Sequence, residues 1–115
     1  MNDKYIHKEG IVYLNQYHIV FCPKYRRKVL VGNIEKDLRQ IFYDIAKEKN
    51  VEIKALEIMP DHVHMFISFD PRQPLHELIR YFKGTSSRIL RNKYPELRSR
   101  IPSLWTRSYF CCTIG

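Results

Sequence analysis

Several absences narrow the reading before any motif does. No stretch approaches the run of about 18 apolar residues that a membrane span requires. Residues 1–8 carry too much charge for a secretory leader, so a cytoplasmic protein is expected. Cysteine is scarce and odd in number: Cys22, Cys111 and Cys112. The last two are adjacent in a predicted strand and would point to opposite faces. They read as small buried hydrophobes, not as a disulfide frame or a Cys-x-x-Cys metal site. No repeat, low-complexity tract or interdomain linker interrupts the 115 residues, which therefore make one domain. A chain of that length buries roughly two-thirds of its unfolded surface and folds without disulfides.

Acidic residues are few exactly where basic ones crowd. Between Arg72 and Arg107 stand nine basic residues and two acidic ones, Glu77 and Glu96, so most of the net charge of +8 lies in one third of the chain. A second cluster, Lys24, Arg26, Arg27 and Lys28, encloses Tyr25 and follows Pro23. Basic patches with an interleaved aromatic fit a polyanionic partner, most simply a nucleic acid, although a solvated surface also carries such charge.

What is present is organised around Pro60-Asp61-His62-Val63-His64-Met65-Phe66. From His62 to Phe69 polar and apolar side chains alternate with period two, which predicts a half-buried strand. Val63, Met65, Ile67 and Phe69 share the core face, while His62 and His64 share the other, one pleat apart. Two imidazoles so placed can converge on a divalent cation, Mg²⁺ or Mn²⁺ in a mixed oxygen and nitrogen site, or Zn²⁺ in a more nitrogen-rich one. The spacing alone is equally that of two half-exposed strand histidines.

In chain order, a first strand is predicted over 11–22, ended by Pro23. Asn33 is the expected N-cap of a helix carrying Ile34, Leu38, Ile41, Phe42 and Ile45, and Asn50 its left-handed stop. A second strand follows, where Val51, Ile53 and Ala55 alternate but Leu56 and Ile58 fall in the opposite phase. That change predicts a bulge near Ala55. The connection Met59-Pro60-Asp61 is short enough to pair the second strand antiparallel with the His62 strand. A second helix begins near Pro74 and buries Leu75, Leu78, Ile79, Phe82, Ser86, Ile89 and Leu90, leaving Arg80, Lys83, Ser87 and Arg91 for phosphates. Gly84 within it suggests close approach of another backbone. Pro95 closes that helix, and a basic linker leads to a last strand over 104–113. The order β-α-β-β-α-β is the α+β, ferredoxin-like split βαβ: a four-stranded antiparallel sheet with two helices on one face and the histidines on the open one.

Four blocks, Tyr17-His-Ile-Val-Phe-Cys-Pro-Lys-Tyr-Arg-Arg, Met59-Pro-Asp-His-Val-His-Met-Phe, Tyr81-Phe-Lys-Gly-Thr-Ser-Ser-Arg and Leu104-Trp-Thr-Arg-Ser-Tyr-Phe, together resemble the small HUH single-tyrosine transposases of the insertion sequence 200/605 family. The resemblance implies DNA transposition by metal-dependent cleavage and rejoining of single strands with hairpin ends, a 5′-phosphotyrosine intermediate, and a homodimer. It assigns His62 and His64 as ligands of Mg²⁺ or Mn²⁺. DNA contacts are expected at Lys24, Arg26, Arg27, Arg80, Lys83, Ser87, Arg91 and Arg107. In the family the nucleophilic tyrosine lies on a helix after the Ser-Tyr-Phe strand, with a Gln one turn later as third metal ligand. This sequence stops at Gly115, before that helix, so no catalytic residue is assigned and the 115-residue chain is expected to be inactive in cleavage. Tyr109 is expected to pack in or beside the sheet. Two other readings stand beside it: a non-catalytic hairpin-DNA-binding remnant or regulator, and an RNA-binding module of the same topology that stacks bases on exposed aromatics.

Overall fold

A computed structural model describes residues 6–8, 11–13 and 15–113. Its elements run β1 (Ile6–Lys8), β2 (Ile11–Tyr13), β3 (Gln16–Phe21), a 3₁₀ turn (Lys24–Arg26), α1 (Gly32–Lys49), β4 (Glu52–Met59), β5 (His62–Ser68), α2 (Leu75–Lys93), α3 (Glu96–Arg100) and β6 (Phe110–Thr113). The main sheet has the order β4-β5-β3-β6 with every neighbouring pair antiparallel. This is the predicted α+β, four-stranded arrangement.

The core forms where one sheet face meets α1 and α2. Ile19, Phe21, Val63, Met65, Ile67 and Phe69 are buried against Leu38, Phe42, Leu78 and Phe82. Aromatic edges link the layers: Phe21 meets Phe42 at 6.0 Å between ring centroids, and Phe42 meets Phe82 at 5.6 Å. The alternation read in β5 holds, since Val63, Met65 and Ile67 are buried while His62, His64 and Phe66 are half-exposed on the other face. The bulge in β4 also falls where the phase change put it, between Ile53 and Ala55. It brings Leu56 and Ile58 onto the face of Met65 and Val63, their partners in register.

Several local expectations are corrected. The strand predicted over 11–22 is divided, part of it at residue 14 lying outside the described residues. Pairing of β3 with β5 ends at Gln16 opposite Ser68, where β5 itself ends. Upstream, β2 pairs with β1 and, among the described residues, with no strand of the main sheet. Asn33 is not the cap of α1. The helix starts at Gly32, whose φ of +58° suits glycine, and Val31 precedes it without a side-chain cap. Asn50 does stop α1 in the left-handed conformation. No backbone crowds Gly84: a methyl group there would meet nothing within 4 Å. Of the predicted stripe, Ile89 is exposed and Leu75 only half-buried.

The largest difference is at the end of the chain. Of the strand predicted over 104–113, only 110–113 pair with β3, while Trp105 makes an isolated antiparallel bridge with Pro23. Side chains hold the segment as well. Trp105 is buried, its ring edge-on to Phe21 at 4.8 Å and its Nε1–H donating to Ser86 Oγ at 3.0 Å. The Lys83 ammonium donates to the carbonyls of Thr106 (2.6 Å), Arg107 (3.3 Å) and Ser108 (3.3 Å). Those carbonyls are drawn toward α2, away from a sheet partner. Cys111 and Cys112 are exposed thiols rather than buried ones, since β6 is an uncovered edge strand. The basic linker after Pro95 forms α3, which Arg91 fastens by donating to the carbonyls of Leu97 (3.2 Å) and Ile101 (2.9 Å). Among the described residues no helix is long and apolar enough to cross a membrane.

Candidate metal and nucleic-acid sites

Two surfaces gather the residues singled out in the sequence. The first is the sheet face turned away from the helices. Strand register puts Met59 opposite His62, places Glu57 and Val20 on either side of His64, and sets His18 opposite Phe66. His62 Nδ1 lies 3.0 Å from Asp61 Oδ1, and His64 Nδ1 lies 3.2 Å from Glu57 Oε1. A carboxylate can only accept, so in each pair the imidazole donates from Nδ1, and in the neutral ring its Nε2 keeps the lone pair. This is the arrangement that orients histidine ligands in metal sites. The donor set fits a hard or borderline divalent cation held by two imidazole nitrogens, with water or phosphate oxygens completing the shell. Among the described residues no three His, Cys, Asp or Glu side chains are gathered closely enough to hold an ion by themselves. The Asp61 carboxyl is held below the usual carboxylate range, first by the hydrogen bond from His62 and then by Arg26, whose guanidinium donates to it at 3.0 Å.

Sequence reasoning did not single out His18. Its Nδ1 lies 3.0 Å from His64 Nε2, and its ring stacks on Phe66 at 4.6 Å between centroids. Period two within β3 puts His18 on the open face, but its meeting with His64 depends on the register between β3 and β5, set by contacts 46 residues apart in the chain.

The second surface is an open cleft of about 630 Å³ between α2 and the chain's last segment, lined by Lys24, Arg80, Lys83, Ser87, Arg107 and Tyr109 with Trp105 and Ile79 among its apolar members. Five of the eight expected DNA-contacting residues meet there although they come from three distant parts of the chain. The segment after Pro23 reaches it because Lys24 N–H donates to Leu104 O (2.8 Å) and Thr106 N–H to Cys22 O (3.0 Å). The others are placed elsewhere. Arg26 points to Asp61 beside the histidines, Arg27 is exposed on the same loop, and Arg91 is engaged with the α3 carbonyls. Lys83 lines the cleft, but its three donors are directed at backbone carbonyls and burial pushes its ammonium pKa down. Tyr109 borders this cleft, 37 % exposed, rather than packing in the sheet, and its ring lies 5.8 Å from the Lys83 ammonium. The loop itself is conformationally unusual: Tyr25 (φ 59°) and Arg26 (φ 50°) are both left-handed, and Tyr25 is 67 % exposed. Non-glycine residues pay for that conformation, so the turn is fixed by its surroundings. Arg26 N–H, donating to Pro23 O at 2.9 Å, closes it, and Lys24 N–H, donating to Leu104 O at 2.8 Å, ties it to the last segment.

Comparison with known proteins sets this geometry in context. The family model described as "Transposase IS200 like" matches residues 11–115. The ISDra2 transposase TnpA of Deinococcus radiodurans is 38% identical over 108 residues, covering 92% of this chain and 77% of that one. The transposase for insertion sequence element IS200 of Salmonella typhimurium is 33% identical over 102 residues, covering 87% and 67%. A crystal structure from D. radiodurans R1, described as that of a transposase, superposes with a TM-score of 0.87 at 33% identity, over 96% of this chain and 86% of that one. A REP-associated tyrosine transposase bound to a REP hairpin shares the fold, with a TM-score of 0.66 at 14% identity over 96% and 63%.

Proposed function

The chain belongs to the IS200-like transposase family, and from that premise we propose that it serves DNA transposition as a metal-bearing scaffold for single-stranded DNA with hairpin ends. The observation that carries this reading is the paired geometry on β5: His62 and His64 on one open face, each with its Nδ1 against a carboxylate.

The chain's own residues divide the work. Asp61 and Glu57 fix the tautomers of the two histidines, and the strand fixes their spacing. A divalent cation held there, Mg²⁺ or Mn²⁺, supplies Lewis-acid withdrawal of charge from a scissile phosphate. Lys24, Arg80 and Arg107 hold the backbone of a strand lying in the cleft, while Tyr109 offers aromatic surface to its bases. In the cleavage chemistry of this reading a tyrosine phenolate attacks phosphorus, a 5′-phosphotyrosine forms and the 3′-hydroxyl leaves. We assign that tyrosine to none of residues 15–113. Tyr109, the one nearest in sequence to where a nucleophile is expected, borders the cleft by α2 and not the histidine face. In this reading residues 15–113 bind DNA and supply no nucleophile. A homodimer fits the same account: β4 and β6 are the sheet edges, and β6 exposes all four of its residues, Phe110 among them at 61 %.

The test is a binding comparison. A single strand with an end hairpin should bind more tightly than linear duplex of equal length, and the logarithm of affinity should fall with that of salt at about 0.7 per phosphate contact. Equal binding to both, or a flat salt dependence, contradicts the reading. An RNA hairpin that wins at every salt concentration would favour the RNA-binding alternative. The same single strand incubated with Mn²⁺ and run on a denaturing gel should show no protein-linked band.

A further inference from the structure

We infer that His18 is a positioning residue of the His62–His64 site: its Nδ1–H occupies His64 Nε2, the nitrogen a cation would take, so metal entry requires His18 to release it. The inference rests on the metal-site reading above and adds to it a residue that reading does not use.

The direction of each hydrogen bond follows from the acceptor at one end. Glu57 Oε1 accepts, so His64 Nδ1, 3.2 Å away, donates and carries the proton. With both rings neutral, His64 Nε2 then holds a lone pair, and the group 3.0 Å from it, His18 Nδ1, is the donor. The two rings lie 5.0 Å apart between centroids and 23° from coplanar orientation. Two imidazoles joined nitrogen to nitrogen leave no space for an ion between them, so His18 is not a third ligand in this arrangement.

The bond is held from both sides. On one, Phe66 stacks under the His18 ring at 4.6 Å and 17°, and His18 is its partner in register between β3 and β5. On the other, Glu57 sits directly across from His64 in β4. Three adjacent strands thus contribute one side chain each to a single line, Glu57 to His64 to His18. Glu57 and His18 have opposite effects on a cation. The carboxylate fixes the ring and raises the basicity of Nε2, which favours binding. The His18 N–H satisfies that same lone pair in the metal-free protein, which opposes binding by about one hydrogen bond. Such a device keeps the ligand tautomer prepared while withholding the nitrogen until a cation with its bound phosphate makes release worthwhile.

The test uses Mn²⁺ alone with the 115-residue protein, read by water-proton relaxation. His18→Phe keeps the stack on Phe66 and removes the donor, and it should bind Mn²⁺ roughly two- to tenfold more tightly than the unaltered chain, the equivalent of one net hydrogen bond. Glu57→Ala should bind about tenfold or more weakly. A residue that merely supports the sheet would not produce gains and losses of opposite sign. Weaker or unchanged binding in His18→Phe overturns the inference. Should that variant fail to fold, His18→Leu is the substitute. Nitrogen-15 long-range correlation spectra of the metal-free, unaltered chain give a second readout: His64 and His18 should each carry the proton on Nδ1. A proton on His64 Nε2 overturns the inference without touching the metal assignment. Conversely, Mn²⁺ binding that persists unchanged in both His62→Ala and His64→Ala defeats the metal reading, and the role of His18 with it, even if the tautomers are as stated.

Discussion

The histidine face and the α2 cleft are built in opposite ways. The face is made by neighbours: β4, β5 and β3 are consecutive in the sheet, the carboxylates are one and seven residues from their histidines, and its side chains are half-exposed. Residues far apart in the chain make the cleft, brought together by a buried tryptophan and a lysine whose ammonium is directed at three carbonyls. The first can therefore be altered with little cost to the fold, whereas the second is tied to it. On the proposed reading, chemistry and grip lie on separate surfaces, which makes the two functions separable by mutation.

The widest predicted gap between them is in stability. Trp105→Ala removes a buried indole and leaves Ser86 Oγ without its donor, so it should cost about 3–5 kcal/mol. His64→Ala, on the open face, should stay within about 0.5 kcal/mol of the unaltered chain. Thermal unfolding of the two side by side checks this, and equal losses would mean that the last segment is not docked as described.

A smaller gap concerns DNA. In Lys24→Ala/Arg80→Ala/Arg107→Ala the fold should persist while the slope of log affinity for hairpin DNA against log salt falls by about 2, three contacts at roughly 0.7 each. Arg91→Ala, whose guanidinium serves α3, should leave that slope as it is and act on stability instead. A slope lost with Arg91 and kept in the triple variant would move the DNA elsewhere.

The smallest effect belongs to neither surface and serves as the control. Asp37 on α1 accepts from Lys93 Nζ (2.8 Å) and Tyr94 Oη, which lowers its carboxyl pKa, Lys93 being the first cause. A lowered folded pKa stabilises above the unfolded value, and that contribution disappears as pH falls through the folded one. Asp37→Asn should therefore be slightly less stable than the unaltered chain at pH 7, with the difference closing below about pH 4, and unchanged in Mn²⁺ and DNA binding.

Which parts of this were legible in the sequence follows from the range of the forces involved. Period two in β5, the phase change at Ala55 and the left-handed stop at Asn50 are local and were readable. So was the sharing of one face by His62 and His64. The docking of Trp105 against Phe21 and Ser86 was not, because alternation over 104–113 looks the same whether a strand pairs or its carbonyls turn to a lysine. Nor was the pairing of His18 with His64, which needs the register of two strands. Among the basic residues charge alone treated Arg91 and Arg80 alike. Only the fold shows that one faces carbonyls and the other a cleft.

The central claim is that cation and DNA are held on separate surfaces, and one crossed measurement tests it most directly. Mn²⁺ relaxation and hairpin-DNA binding in chelator are recorded for His62→Ala/His64→Ala and for Lys24→Ala/Arg80→Ala/Arg107→Ala. The account predicts that the first variant loses Mn²⁺ and keeps DNA affinity within about twofold, and that the second does the reverse, as independent sites should. Loss of metal-free DNA binding in the histidine variant, or of Mn²⁺ binding in the basic one, would contradict it.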